Sequence, residues 1–317
     1  MRRPGWTAIG ALVALAFVCS SAWPLLTYTT SLAAFGLWHV ASEMRYVRER
    51  FGQHMAHTLG TLIAGLLVGV LAVRGAMITQ LCPAWLGRVL ELGLVTGLVA
   101  CVVPKLWSTT HARWLGAALG GALATGILLS PVHTLLVLAV AHNFTPVGFL
   151  VERAPPEHRA RTWRLALLVF VGLPLCVASG LPQLVMESMG WFAPDVAILP
   201  VGVLADHLGA YFPPSLHHTS WITRAFCGVV MAQCLHYIAV IVVLPQYLEA
   251  PALPKRWIAL GALLLALTCG AFVWDFAQAR VFYGMASAVH AWIELPLLLL
   301  AMTPHHHAQA SATQPIA

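Results

Sequence analysis

The sequence predicts an all-α fold, a polytopic membrane helix bundle of about ten transmembrane helices with its N-terminus inside. Hydrophobic residues make up 60% of the 317-residue chain and charged residues 9%, whereas an ordinary soluble domain carries roughly 25% charged residues. The mean hydropathy is +0.82. The apolar residues form runs of about 20, which is the length that a spanning helix needs.

Ten segments meet this length criterion, and most are separated by proline, glycine or polar residues that end or interrupt a helix. In chain order they are residues 6–22, 25–44, 55–74, 85–104, 113–130, 132–151, 164–182, 221–247, 257–275 and 280–302. The first is either an uncleaved span or a cleaved signal, and we favour the span. We expect one transmembrane domain over residues 1–303, with 183–220 as an extracytoplasmic segment, followed by a disordered polar tail at 304–317.

The positive charges predict the orientation. If the N-terminus is inside, 13 of the 17 Lys and Arg residues fall in inner loops, and only Arg74, Arg88, Arg224 and Arg280 fall outside. Because inner loops of membrane proteins are enriched in Lys and Arg, this distribution supports both the ten spans and the inside N-terminus. It also explains the net charge of +6 without a nucleic-acid partner. We expect membrane lipids as the surroundings and the bacterial inner membrane as the location.

Ionisable residues inside the apolar runs are the candidate functional residues, because such residues are rare in membrane spans and usually functional. His39 and Glu43 lie four residues apart in the second segment, so they share one helix face, and the last segment repeats this spacing. In the predicted topology, four spans running in the same direction each bring one histidine to a similar depth. These histidines are His39, His142, His236 and His290.

Metal coordination best explains four imidazoles at one depth in the membrane. Neutral imidazole is the commonest metal ligand and suits iron, copper or zinc. We therefore predict that the four histidines bind one metal. Glu43 and Glu294 are the candidate catalytic carboxylates, which either bind the metal too or orient the imidazoles.

The remaining polar residues have simpler interpretations. A single buried histidine is more often a satisfied core residue than a ligand, and we assign no function to His54 or to the run His305-His306-His307. The pair His217-His218 is a weaker candidate for a second metal site. Glu91 and Arg88, three residues apart, are expected to form a pair within one helix.

The candidate motifs resemble those of the Brp/Blh family, membrane enzymes that cleave β-carotene to retinal. The resemblance rests on Gly36-Leu37-Trp38-His39 with Glu43, on Val140-Ala141-His142-Asn143-Phe144, on Cys234-Leu235-His236 and on His290 with Glu294. It implies a short polytopic fold whose histidines hold iron. The chain has glutamates where that family tends to have aspartates, and Asn143 follows the mid-chain histidine where an acid is usual. Tyr237 stands where the family has basic residues and a second histidine.

Four hypotheses of function follow from these observations. The first is a non-haem Fe(II) oxygenase that uses O₂ on a carotenoid or another long apolar isoprenoid or lipid. The second is a two-metal lipid hydroxylase or desaturase, although the usual His-x-x-x-His spacing is absent. The third is a non-enzymatic redox or sensor protein in which paired histidines ligate haem. A proton-coupled transporter ranks last, because the sequence has no internal repeat.

Overall fold

The computed structural model describes residues 5–52, 57–106, 110–219, 221–248 and 255–301. Across these ranges the regular structure is helical and contains no β-strand, which confirms the all-α class. The predictions for His54, for the run 305–307 and for the tail at 304–317 fall outside the described residues.

The described ranges contain fourteen α-helices, several of them joined directly by short 3₁₀ or π turns. They are α1 (Trp6–Ala22), α2 (Pro24–Phe51), α3 (His57–Ile78), α4 (Ala84–Ala100), α5 (Val103–Leu106), α6 (Thr110–Leu129), α7 (Pro131–Ala141), α8 (Thr145–Arg153), α9 (Arg159–Leu167), α10 (Leu173–Ala178), α11 (Leu181–Ser188), α12 (Ile222–Ile238), α13 (Lys255–Trp274) and α14 (Phe276–Ala301). Within the described residues, each predicted segment overlaps one of these helices or several consecutive ones.

Five of the helical runs are long and apolar enough to cross a membrane. They are His57–Ile78, Pro131–Arg153, Arg159–Ala178, Ile222–Tyr247 and Phe276–Ala301. The chain therefore has the character of an integral, multi-pass membrane protein. The total of ten spans and the inside N-terminus stay predictions.

Helix α2 continues beyond the end predicted for the second segment, residue 44, and stops at Phe51. The added turns are rich in Arg and Glu, which are good helix formers, and Arg45 Nε lies 3.0 Å from Glu49 Oε1 one turn later. Gly52 follows the helix directly, where a glycine commonly ends helical structure. The segment boundary was predicted from hydropathy, which marks where the apolar run ends and not where the helix does.

The chain divides into two compact units, Met1–Arg50 with Leu136–Ala286 and Phe51–Leu135 with Ser287–Ala317. The single domain expected over residues 1–303 stays a prediction. In the first unit, α12 is buried along most of its length and packs against α1 and α10. Gly228 permits the close approach to α10, because a Cβ there would lie 2.8 Å from the Pro174 carbonyl oxygen. Small residues at contacts of this kind promote helix association in lipid.

The second unit is built around α3, α4 and α6, which pack in chain order. Glu91 on α4 is buried and accepts hydrogen bonds from Arg74 Nε at 2.9 Å and Nη2 at 2.7 Å. Trp292 Nε1 on α14 donates to the same carboxylate oxygen at 2.9 Å. The expected pairing of Glu91 with Arg88 is wrong, because Arg88 is exposed while Glu91 faces the helix contacts.

Residues 183–219 contain no span in the part of the chain that is described, as the sequence predicts. After α11 the segment forms loops and two short 3₁₀ turns, at Leu204–Ala210 and Pro214–Leu216. Asp195 Oδ1 accepts from the Leu204 amide at 2.8 Å, and Asp206 Oδ2 accepts from the Val203 amide at 3.0 Å. These side-chain bonds fix the loop before the first 3₁₀ turn.

Candidate metal centre

Three of the predicted histidines, His39, His142 and His236, come together within the first unit. One ring nitrogen of each lies within 4.8 Å of one from each of the others. The ring centres of His39 and His236 are 5.2 Å apart, and those of His142 and His236 are 4.5 Å apart. Three segments that are distant in sequence therefore bring imidazoles to one place.

The first of these segments is the middle of α2, where Glu43 lies one helical turn after His39. Both side chains are buried, Glu43 completely and His39 to 2% exposure. Glu43 Oε2 is 3.5 Å from His236 Nε2, and a Glu43 oxygen lies within 4.8 Å of a ring nitrogen of His142. The carboxylate thus belongs to the same group as the three imidazoles.

His142 lies at a break in its helical run. A 3₁₀ turn at His142–Phe144 separates α7 from α8, and Pro146 follows near the start of α8. Because proline has no backbone N–H, it cannot donate to the carbonyl one turn before it. The hydroxyl of Thr145 donates to the His142 carbonyl at 2.7 Å instead. The helical run is therefore irregular at His142, the candidate ligand.

His236 lies in the last turn of α12, just before a π turn at Ala239–Val243 and a 3₁₀ turn at Leu244–Tyr247. Pro245 again removes a helical donor, and Gln246 Nε2 donates to the Val242 carbonyl at 2.8 Å. π turns inside helices are frequent at functional sites. Two of the three histidines therefore adjoin an irregular turn.

His290 and Glu294 lie in the second unit, on α14, one helical turn apart on one face. Both are buried, to 1% and 0% exposure. Trp292, between them in sequence, donates to Glu91 as described above. Their membership in a metal site with the three histidines stays a prediction from the sequence.

The histidine and glutamate group can hold a metal ion. Its donor types are those that divalent iron, zinc or copper accept in proteins. Two ligands on opposite sides of an ion, each about 2.1 Å from it, lie roughly 4 Å apart. The ring nitrogens lie within 4.8 Å of one another, a separation of the same order as that value.

The pair His217-His218 is not brought into any comparable group within the described residues. His217 Nε2 hydrogen-bonds with the Phe212 carbonyl at 3.0 Å, which ties the ring to its own loop. This contact favours a structural role for His217 over the second metal site that the sequence left open.

Two aromatic side chains beside His39 were not identified as functional from the sequence. The Tyr237 ring lies 4.4 Å from the His39 ring at an angle of 32°, and the Tyr283 ring centre is 6.3 Å away. Tyr237 directly follows His236, but sequence adjacency does not reveal that it packs on a histidine of another helix.

Fold and site together define a class of protein: all-helical, multi-pass, with a buried histidine and glutamate group that can hold a metal ion. Comparisons with family models, curated proteins and solved structures found no match to this chain. The assignment of function consequently depends on the chemistry of the site.

Proposed function

We propose that this protein is an intramembrane non-haem iron oxygenase that acts on a carotenoid or another long apolar isoprenoid or lipid. His39, His142, His236 and His290 would hold Fe(II), and Glu43 and Glu294 would orient imidazoles or complete the ligand set. A ferrous ion supplies the oxygen-activating chemistry that such an enzyme needs. The proposal includes O₂ as co-substrate, the bacterial inner membrane as location, and a distant relationship to the Brp/Blh family.

The observation that carries this proposal is the grouping of His39, His142, His236 and Glu43 in the first unit. Two or three neutral imidazoles and a carboxylate are the usual protein ligands of non-haem iron. Burial of His39 and Glu43 limits access of water, which protects reactive intermediates from side reactions.

Apolar side chains on α2 support a substrate that arrives from the lipid. Phe35 and Trp38 are 49% and 37% exposed, although His39 on the same turn is buried. A hydrocarbon chain could therefore lie against the outer side of the turn that bears a proposed ligand. A water-soluble substrate would gain nothing from such a surface.

A two-metal hydroxylase or desaturase is the second candidate, and the position of Glu43 favours it. Its carboxylate lies near both His142 and His236, and bridging carboxylates are typical of di-iron sites. Haem ligation by these rings fits less well. Imidazoles on opposite faces of a haem have ring centres about 6 Å apart, more than the 4.5 and 5.2 Å observed.

The test combines metal analysis with product analysis. The protein is expressed in carotenoid-producing cells, and wild type is compared with His142→Ala and with the control His217→Ala. We expect about one iron per chain and cleaved carotenoid for wild type and for the control, and neither for His142→Ala. Two irons per chain would favour the second candidate. Wild-type protein that holds no metal after reconstitution with Fe(II) would refute both, and unchanged carotenoid would remove that substrate.

A further inference from the structure

A pair of tyrosines lies against the imidazole of His39 in the first unit. The Tyr237 ring is tilted by 32° to the His39 ring, with centres 4.4 Å apart. The ring centre of Tyr283 lies 6.3 Å from that of His39. The contact thus joins α12 and α14 to the middle of α2.

Gly36 provides the space for this arrangement. It lies three residues before His39 on α2, and a Cβ at this position would lie 3.0 Å from Cε2 of Tyr283. Such a contact is too close for an ordinary Cβ, so any larger residue would displace the Tyr283 ring. The glycine of the Gly36-Leu37-Trp38-His39 motif therefore lets the Tyr283 ring pack against α2.

We propose that Tyr237 and Tyr283 are positioning residues that set the orientation of the His39 imidazole for metal binding. The inference rests on the proposed metal site. The last side-chain torsion of histidine is broad, so a buried imidazole needs neighbours to fix its plane. Metal-ligating histidines usually have such outer contacts, and losing one typically costs 10- to 100-fold in metal affinity or activity.

The two parts of Tyr237 act differently in this arrangement. Its ring restricts the plane of the imidazole directly. The ring contact with His39 does not depend on its hydroxyl group. Removing the ring should therefore have a larger effect on metal binding than removing the hydroxyl alone.

The test uses Co(II) as a spectroscopic probe, added to purified full-length protein in detergent. We expect Tyr237→Leu to weaken Co(II) binding about 10-fold or more and to shift the visible absorption bands of the bound ion. Tyr237→Phe keeps the ring and should restore affinity to within about threefold of wild type. Gly36→Ala should shift the bands through displacement of Tyr283.

Phe226→Leu is the matched control, because it removes another buried ring from α12. The Phe226 ring lies 5.4 Å from that of Tyr28, and its removal should leave both Co(II) affinity and spectrum unchanged. Wild-type affinity and spectrum in Tyr237→Leu would overturn the inference, as would equal losses in Tyr237→Leu and Phe226→Leu. If wild type binds no Co(II), the proposed metal site fails and the inference with it, so the two failures are distinguishable.

Discussion

The two units each bury a polar group among apolar helices, but the chemistry of these groups differs. In the second unit, Glu91 is matched by donors: the guanidinium of Arg74 and the indole N–H of Trp292. In the first unit, three imidazoles lie together with one carboxylate. In the second unit, the acceptor and its donors complement each other. In the first unit, the imidazoles and the carboxylate are residue types that bind metals.

This difference separates a structural role from a functional one. The carboxylate of Glu91 accepts hydrogen bonds from two N–H groups of one guanidinium and from one indole N–H, so its charge is compensated. It holds three helices together and needs no further partner. Several imidazoles brought close together from distant segments, with a carboxylate beside them, can hold a shared cation. Substitutions in the two groups should therefore affect different properties, stability in one and metal content in the other.

The largest expected effect is the loss of metal from the first group. His236→Ala removes the ring whose Nε2 lies 3.5 Å from Glu43 and whose centre lies 5.2 and 4.5 Å from those of His39 and His142. Iron content should fall from about one per chain to almost none. His290→Ala tests in the same way whether His290, in the second unit, belongs to the metal site. Elemental analysis of the purified variants after reconstitution with Fe(II) measures both effects. Full iron content in His236→Ala would contradict a metal-binding role for the histidine group of the first unit.

The second expected effect is a loss of stability without loss of metal. Glu91→Ala removes the buried carboxylate that accepts from Arg74 and Trp292, and breaking a buried ion pair costs about 3 kcal/mol. Unfolding in detergent, followed by circular dichroism, measures the change in the free energy of unfolding. Arg88→Ala, on the exposed side of the same helix, is the control and should change stability by under about 0.5 kcal/mol. A fall in iron content in Glu91→Ala would contradict a purely structural role.

Most of the helical segments could be predicted from the sequence, because apolar runs of spanning length are a strong signal. The last quarter of α2, residues 45–51, could not, since its arginines and its glutamate interrupt the apolar run and give no hydropathy signal. The partner of Glu91 was also missed. Spacing along one helix suggested Arg88, but contacts between helices brought Arg74 to the carboxylate.

The candidate site, too, was predicted only in part. Histidines in apolar runs are conspicuous, so His39, His142 and His236 could be selected from the sequence alone. Tyr237 and Tyr283 could not, because a tyrosine is common in membrane helices and its packing partner depends on helix rotation. The 3₁₀ turn at His142 had a signal in Pro146, whose missing N–H interrupts the helix.

An intermediate effect is expected for the carboxylate of the first group. Glu43→Gln preserves the shape of the side chain but removes its charge, and metal affinity should fall about 10- to 100-fold with little change in stability. Glu294→Gln is its counterpart in the second unit and tests whether that carboxylate belongs to the predicted site. Isothermal titration with Fe(II) under anaerobic conditions measures both. Unchanged affinity in Glu43→Gln would show that the carboxylate neither binds the metal nor orients a ligand.

The smallest effect is expected for His207, in the loop before α12, whose two ring nitrogens both contact protein groups. Its Nε2 is hydrogen-bonded to the Val201 carbonyl at 2.9 Å, and its Nδ1 lies 3.3 Å from Arg280 Nη1. Burial lowers the pKa of His207 from its ordinary value of 6.5, and the charge of Arg280 acts in the same direction. The bond to Val201 and the charge of Asp206 oppose this shift. The folded state therefore favours the neutral ring.

Because the unfolded chain takes up this proton near pH 6.5, it binds more protons than the folded chain between that pH and the lowered pKa. The free energy of unfolding should thus be highest above pH 7 and fall as the pH decreases through this window. Unfolding measured at pH 7.5 and pH 5.5 should show a smaller pH effect in His207→Gln than in wild type. An equal pH effect in both proteins would assign the titration to another group.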